Sequence, residues 1–128
     1  MPSVAILGAS SNRAKFGNKS VRAHQMAGYE VIPVNPRGGE IEGQTALTSL
    51  NEITQPLDRI SVYLPPAILL NTLDEIAATG CDEIWLNPGC DSADVLARCK
   101  EIGMTPIRGC SIVDLGMTPA EVDARTPE

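Results

Sequence analysis

The 128 residues carry 43 % hydrophobic side chains and a formal charge of −6, a globular composition in a chain of single-domain length. That acidity, with no run of Lys and Arg, excludes the basic field that a nucleic-acid duplex requires. The aromatic side chains are Phe16, Tyr29, Tyr63 and Trp85, so the core must rest on Ile, Leu, Val, Ala and Met. No stretch reaches the length of a membrane span. The apolar run Val4 to Leu7 is short and has no basic residues before it, so no signal peptide is expected and the chain is expected in the cytoplasm. Cys81, Cys90, Cys99 and Cys110 lack C-x-x-C spacing, which argues against a zinc knuckle and for free thiols.

Val4-Ala5-Ile6-Leu7 is a continuous apolar run ending at Gly8, the pattern of a strand buried on both faces. A polar stretch follows from Ala9 to Lys15. From about Gly17 a helix is predicted, with Val21, Ala23, Met26 and Ala27 toward a sheet and Gly28 as its stop. Tyr29 to Val34 reads as a second strand. Pro33 has no amide hydrogen, which places that strand at an edge or near a break in pairing. Asn35-Pro36-Arg37-Gly38-Gly39 is a turn, Thr48 to Ile53 a short helix and Ile60 to Leu64 a third strand. Pro65-Pro66 breaks that strand and opens a helix, with a buried stripe of Leu69, Leu73 and Ile76 and a stop at Gly80. Ile84-Trp85-Leu86 is a fourth strand, ended by Asn87-Pro88-Gly89. Asp91 or Ser92 caps the next helix, whose stripe is Val95, Leu96, Cys99 and Ile102 and whose stop is Gly103. Met104 to Arg108 is a fifth strand. Beyond Gly116 the pattern predicts only a turn of helix near Pro119 to Val122.

Strands alternating with helices predict parallel βαβ units with right-handed crossovers. The fold class is α/β: a Rossmann-like, doubly wound, mainly parallel five-stranded sheet in three αβα layers, one domain over residues 1–128.

Ligands of such sheets lie beyond the carboxyl ends of the strands. The ends here are Gly8-Ala9-Ser10-Ser11, Asn35-Pro36-Arg37-Gly38, Leu64-Pro65-Pro66 and Asn87-Pro88-Gly89-Cys90. The first matches the dinucleotide fingerprint only in part. Gly8 fits its first glycine, but Ser10 stands for the second and Arg13 for the third. Amides at a helix N-terminus still attract phosphate, and Ser10, Ser11, Asn12, Arg13 and Lys15 add hydrogen bonds or charge. At the second strand's end, Val34-Asn35-Pro36 lacks the acid that holds the ribose of NAD. Arg37 suits an extra phosphate on the ribose, as in NADP or coenzyme A.

The ordered set Gly-Ala-Ser, Val-Asn-Pro, Pro-Pro-Ala and Asn-Pro-Gly resembles the stand-alone CoA-binding domain proteins. It is also similar to the N-terminal CoA-binding domain of the succinyl-CoA synthetase alpha subunit. Gly39-Glu40-Ile41-Glu42-Gly43, Leu50-Asn51-Glu52-Ile53 and Cys110-Ser111-Ile112-Val113 extend the likeness over roughly residues 3 to 116. The resemblance implies that Gly8, Ala9, Ser10 and Ser11, with Arg13 or Lys15, hold the diphosphate. Val34, Asn35 and Pro36 would lie beside the adenosine, with Arg37 near its 3′-phosphate. Leu64, Pro65 and Pro66 would line the pantetheine path, and Asn87, Pro88 and Gly89 would close the other side.

The resemblance implies a binder of CoA or acyl-CoA, acting as carrier, sensor or regulator without catalysis. Related acyl-CoA synthetases use a phosphorylated histidine in a further domain. His24 is the single histidine; it lies inside the first helix and is expected to be a surface or satisfied residue. There is no nucleophile elbow, Walker sequence or metal-ligand cluster. Cys90, and less directly Cys110, could exchange disulfide with the CoA thiol if the following helix lowered its pKa. The alternatives are an NADP-binding oxidoreductase-like domain, a CoA-ligase component completed by a partner chain, and an interaction domain whose site has decayed. Pairing, as a homodimer or with another protein, rests on fold analogy.

Overall fold

The computed structural model describes residues 1–127. β1 (Ser3–Leu7) is buried along its whole length, as its unbroken apolar run requires. Its alternate residues divide between two cores. Ala5 and Leu7 face one, Val4 and Ile6 the other, following the period of two in a strand. α1 (Phe16–Met26) returns the chain to β2 (Glu30–Val34), and a small antiparallel hairpin follows, β3 (Glu40–Ile41) and β4 (Gln44–Thr45). A single 3-10 turn, Leu50–Glu52, takes the place of the short helix predicted over 48–53. Then come β5 (Arg59–Val62), α2 (Pro66–Leu70), α3 (Leu73–Thr79), β6 (Glu83–Leu86), α4 (Ala93–Glu101), β7 (Ile107–Arg108), α5 (Ser111–Asp114) and α6 (Pro119–Arg125).

The main sheet runs β2-β1-β5-β6-β7, and each neighbouring pair is parallel. β2 takes the edge, where Pro33 costs no ladder bond. Leu69, Leu73, Ile76, Val95 and Cys99 cover one face, bringing α2, α3 and α4 onto it. Val21 of α1 packs on the other face, and Ala23 joins Ile112, Met117 and Val122 to tie α5 and α6 to α1. This is the expected three-layer arrangement.

Several bounds differ from the sequence reading. The third predicted strand stops at Val62, and the fifth holds only Ile107–Arg108. The helix predicted to run unbroken from Pro65 is two helices, α2 and α3, separated at Asn71-Thr72, where Thr72 Oγ1 donates to Ile68 O at 2.9 Å. Ser92, not Asp91, caps α4, accepting from Val95 N. No helix among the described residues is long and apolar enough to cross a membrane.

Candidate functional site

After β1 the chain moves to β2 on one side, then crosses to β5 on the other. Their diverging loops open a crevice at the carboxyl ends of β1 and β5. A cavity of about 660 Å³ occupies it, lined by Gly8 to Ser10, Ala14 to Gly17, Asn35, Tyr63 to Pro65 and Pro88 to Cys90. Ser10, Lys15 and Asn35 also line a second hollow of about 490 Å³ that contains Ser11 and Arg37. Pro88 and Gly89 also line a third, of about 510 Å³, that reaches Asp91 and Arg108. The second and third each share wall residues with the first, and the three lie as a trough along the sheet's carboxyl edge.

Two glycines make this geometry possible. Gly8 sits at φ +90°, and a Cβ there would lie 2.2 Å from Tyr63 O. A Cβ on Gly17 would lie 2.3 Å from Gly8 O. The backbones of β1, β5 and the first turn of α1 therefore meet directly. Gly17 has the close-packing role that the dinucleotide fingerprint gives to its third glycine, which sequence reasoning sought at position 13.

The loop between β1 and α1 is held by polar side chains. Gly8 N and Ala9 N both donate to Val34 O at 3.2 Å, so these amides tie the loop to β2. Asn35 Nδ2 donates to Ala9 O at 2.8 Å, and its Oδ1 accepts from Arg37 N at 2.8 Å. At the start of α1, Asn18 N and Lys19 N both donate to Lys15 O at 3.1 Å. That leaves the amides of Phe16 and Gly17, both at the cavity, without an acceptor among the described residues. α1 has no acidic residue in its first turn. Its partial positive end thus faces the cavity uncompensated. Lys15 and Arg37 add full charges on the walls and form no ion pair among the described residues.

The structure brings Gly8, Ala9, Ser10, Lys15, Asn35, Leu64, Pro65, Pro88 and Gly89 to the cavity, with Ser11 and Arg37 in the adjoining hollow. It turns Arg13 away. The Arg13 guanidinium pairs with Glu42 at 2.9 Å and donates to Pro127 O at 3.0 Å; Glu42, held chiefly by that bond, stays below the usual carboxylate range. Lys15 is therefore the loop's cation at the cavity. Val34, Pro36 and Pro66 lie outside the lining, Val34 serving through its carbonyl. Asn87 is a framework residue. It is buried; its Nδ2 donates to Ser61 Oγ and Val62 O, each at 2.9 Å, and its Oδ1 accepts from Ser111 N at 2.9 Å.

Of the two readings open for Cys90, a structural thiol and one that exchanges with the CoA thiol, its surroundings favour the first. Its side chain is buried, and Sγ donates to Val62 O at 3.3 Å. Burial, the largest influence, pushes its thiol pKa up. α4 starts three residues later, and its capping position belongs to Ser92.

Phe16 and Tyr63 were missed as lining residues, although two of the chain's few aromatics at strand and helix ends are a usable signal. Phe16 is 58 % exposed. Tyr63 bonds Ser111 Oγ through its hydroxyl at 3.1 Å, and burial raises its phenolic pKa.

A family model described as "CoA binding domain" matches residues 2–116. The uncharacterized protein YneT of Bacillus subtilis (strain 168) is 33 % identical over 104 residues, covering 81 % of this chain and 77 % of YneT. A conserved hypothetical protein from Pyrococcus furiosus superimposes with a TM-score of 0.81 at 31 % identity, over 89 % of this chain and 99 % of that one. The dinucleotide-forming acetyl-coenzyme A synthetase 1 of Ca. Korarchaeum cryptofilum shares the fold. Its TM-score is 0.70 at 20 % identity, and the match covers 82 % of this chain and 25 % of that one.

Proposed function

The chain belongs to the CoA-binding domain family, and from that membership we propose that the trough binds coenzyme A or an acyl-CoA, as a carrier, sensor or regulator. The observation that carries this reading is the uncapped start of α1, where the amides of Phe16 and Gly17 lie beside Lys15 at the cavity, with Arg37 in the adjoining hollow. A diphosphate matches a helix N-terminus with a neighbouring cation. Arg37, in the hollow beyond Asn35, would meet the 3′-phosphate. Leu64, Pro65, Pro88 and Gly89 offer the apolar and backbone surface that a pantetheine arm needs.

Binding without catalysis is supported by the buried state of His24 and the raised thiol of Cys90. All four cysteines are free, which accords with a cytoplasmic setting. NADP shares the ribose phosphate and is the competing ligand.

Isothermal titration tests the reading with CoA, dephospho-CoA, NADPH and NAD. CoA is expected to bind most tightly. Arg37→Ala should weaken CoA about tenfold, the effect of losing a charged hydrogen bond, and leave dephospho-CoA unchanged. Tighter binding of NADPH than of CoA would overturn the assignment.

A further inference from the structure

The back of the phosphate loop is held by two side chains one turn apart on α1. Asn18 Nδ2 donates to Ser10 O at 2.9 Å, and Arg22 Nη2 donates to Arg13 O at 3.0 Å. The two are joined to each other, Arg22 Nε donating to Asn18 Oδ1 at 2.7 Å. In a trans peptide the carbonyl and the following N–H point opposite ways. Drawing Ser10 O toward α1 therefore turns Ser11 N–H outward. Ser11 N–H faces outward because Asn18 holds Ser10 O. Arg22, by holding Arg13 O, anchors the other end of the loop, where Ala14 N is taken by Asn12 Oδ1 at 2.9 Å.

Arg22 is a cation with only 4 % of its surface exposed, and a buried charge needs a partner. That partner comes from the chain's last helix. Arg22 Nη2 lies 3.1 Å from Asp123 Oδ1, and Nη1 donates to Thr126 Oγ1 at 2.9 Å. Asp123 also pairs with Lys19 at 2.9 Å. Pro127 O takes the Arg13 guanidinium at 3.0 Å. Val122 is fully buried in the small core with Ala23, Ile112 and Met117. α6, at Pro119–Arg125, lies beyond the residues 2–116 that the family model matches. A segment outside the shared domain thus neutralises the residue that orders the loop.

We propose that α6 is a control element of the phosphate loop and that Arg22 is the positioning residue through which it acts. With α6 docked, Arg22 stays buried and holds the loop. When Asp123 and Thr126 are drawn away, Arg22 moves to water and releases Arg13 O and Asn18. The identity of the ligand rests on the CoA reading; the mechanical link between α6 and the loop does not. Linkage makes the effect reciprocal: a ligand that orders the loop also tightens α6.

Hydrogen exchange by mass spectrometry on the full chain tests this, with Asp123→Ala and Thr126→Val compared with the unmodified protein. In both variants the amides of residues 10–15 should exchange faster without ligand, more so in Asp123→Ala. CoA added to the unmodified protein should slow exchange in residues 119–125. Its Kd should rise about fivefold or more in Asp123→Ala, the lower end of ordinary coupling between sites. Loop exchange that stays unchanged while α6 loosens overturns the proposal, as does CoA binding that leaves α6 unprotected. If the unmodified protein does not bind CoA, the ligand assignment falls, and the unliganded comparison still decides the coupling. Thr126→Val keeps the Asp123 carboxylate and removes only the hydroxyl's bonds with Arg22 Nη1 at 2.9 Å and Val122 O at 2.6 Å, so it supplies the answer should Asp123→Ala not fold.

Discussion

His24 illustrates how burial sets a side chain's chemistry. Its ring meets Tyr29 edge-on at 5.0 Å, and Nδ1 faces Ser20 O at 2.8 Å. A nitrogen facing a carbonyl carries the proton, so Nε2 holds the lone pair of the neutral ring. Nε2 is buried without a partner among the described residues. Desolvation, with a smaller contribution from Arg59, lowers the pKa to about 4 from 6.5. As pH falls below 6.5, the unfolded chain takes up a proton that the folded chain refuses. Stability from this group is therefore full above pH 6.5, declines between 6.5 and 4, and levels off below. The loss is on the order of 3 kcal/mol. His24→Phe keeps a ring against Tyr29 and should flatten urea-unfolding stability over that window. Equal pH slopes in the two proteins would contradict the assignment. The strand-end residues were legible because a glycine or proline closing an apolar run marks a turn. The choice between Arg13 and Lys15 was not, since it depends on Glu42, whose position comes from a distant hairpin. The state of Cys90 was left open for a similar reason: its environment is set by Val62 O, not by its neighbours in sequence.

Elements were legible where their period was long enough to read. The strands β1, β2, β5 and β6 follow their apolar runs, and Leu69, Leu73 and Ile76 are buried as the stripe required, although α2 and α3 divide it. At the division the Thr72 hydroxyl bonds back to Ile68 O, a contact that bends helices. β7 is short because Pro106 immediately before it has no amide to give a ladder. The hairpin β3–β4 escaped notice because strands of two residues have no readable alternation. Its turn places Glu42 at φ 49° and Gly43 at φ 80°. This is the primed geometry of a two-residue hairpin, with Glu42 where Asn is the usual occupant; there Glu42 accepts from both Arg13 and Asn18. The junction of α1 with β1 is, with that of Gly8 against Tyr63, among the tightest contacts between elements. Gly17→Ala would drive a methyl to 2.3 Å from Gly8 O, and that oxygen, being backbone, cannot yield alone. Overpacking of this kind costs about 2 kcal/mol. The expected result is a lower denaturation midpoint together with weakened CoA binding, because the displaced turn carries the free amides of Phe16 and Gly17. Unchanged binding at unchanged stability would show that α1 tolerates a step away from β1.

At the scale of the whole molecule, the sheet order β2-β1-β5-β6-β7 places the trough where two halves of the fold meet. β1, α1 and β2 lie to one side; β5, β6 and β7 continue to the other. The alternation of apolar runs and glycine stops was enough to predict this architecture, since right-handed crossovers leave few ways to arrange parallel strands. The trough takes residues from the ends of β1, β2, β5 and β6, so a ligand filling it joins both halves and acts on the global unfolding equilibrium. A ligand bound only to the native state adds about 2.7 kcal/mol at a hundred times its Kd. For a chain of this size that raises Tm by roughly 10 °C. Calorimetry with CoA should therefore show one transition moving upward with the logarithm of concentration, its width little changed. NAD, which lacks the phosphate that Arg37 is proposed to meet, should move it far less. Splitting of the transition into two under CoA would mean that the ligand holds one half alone, and the bridging role of the trough would fail.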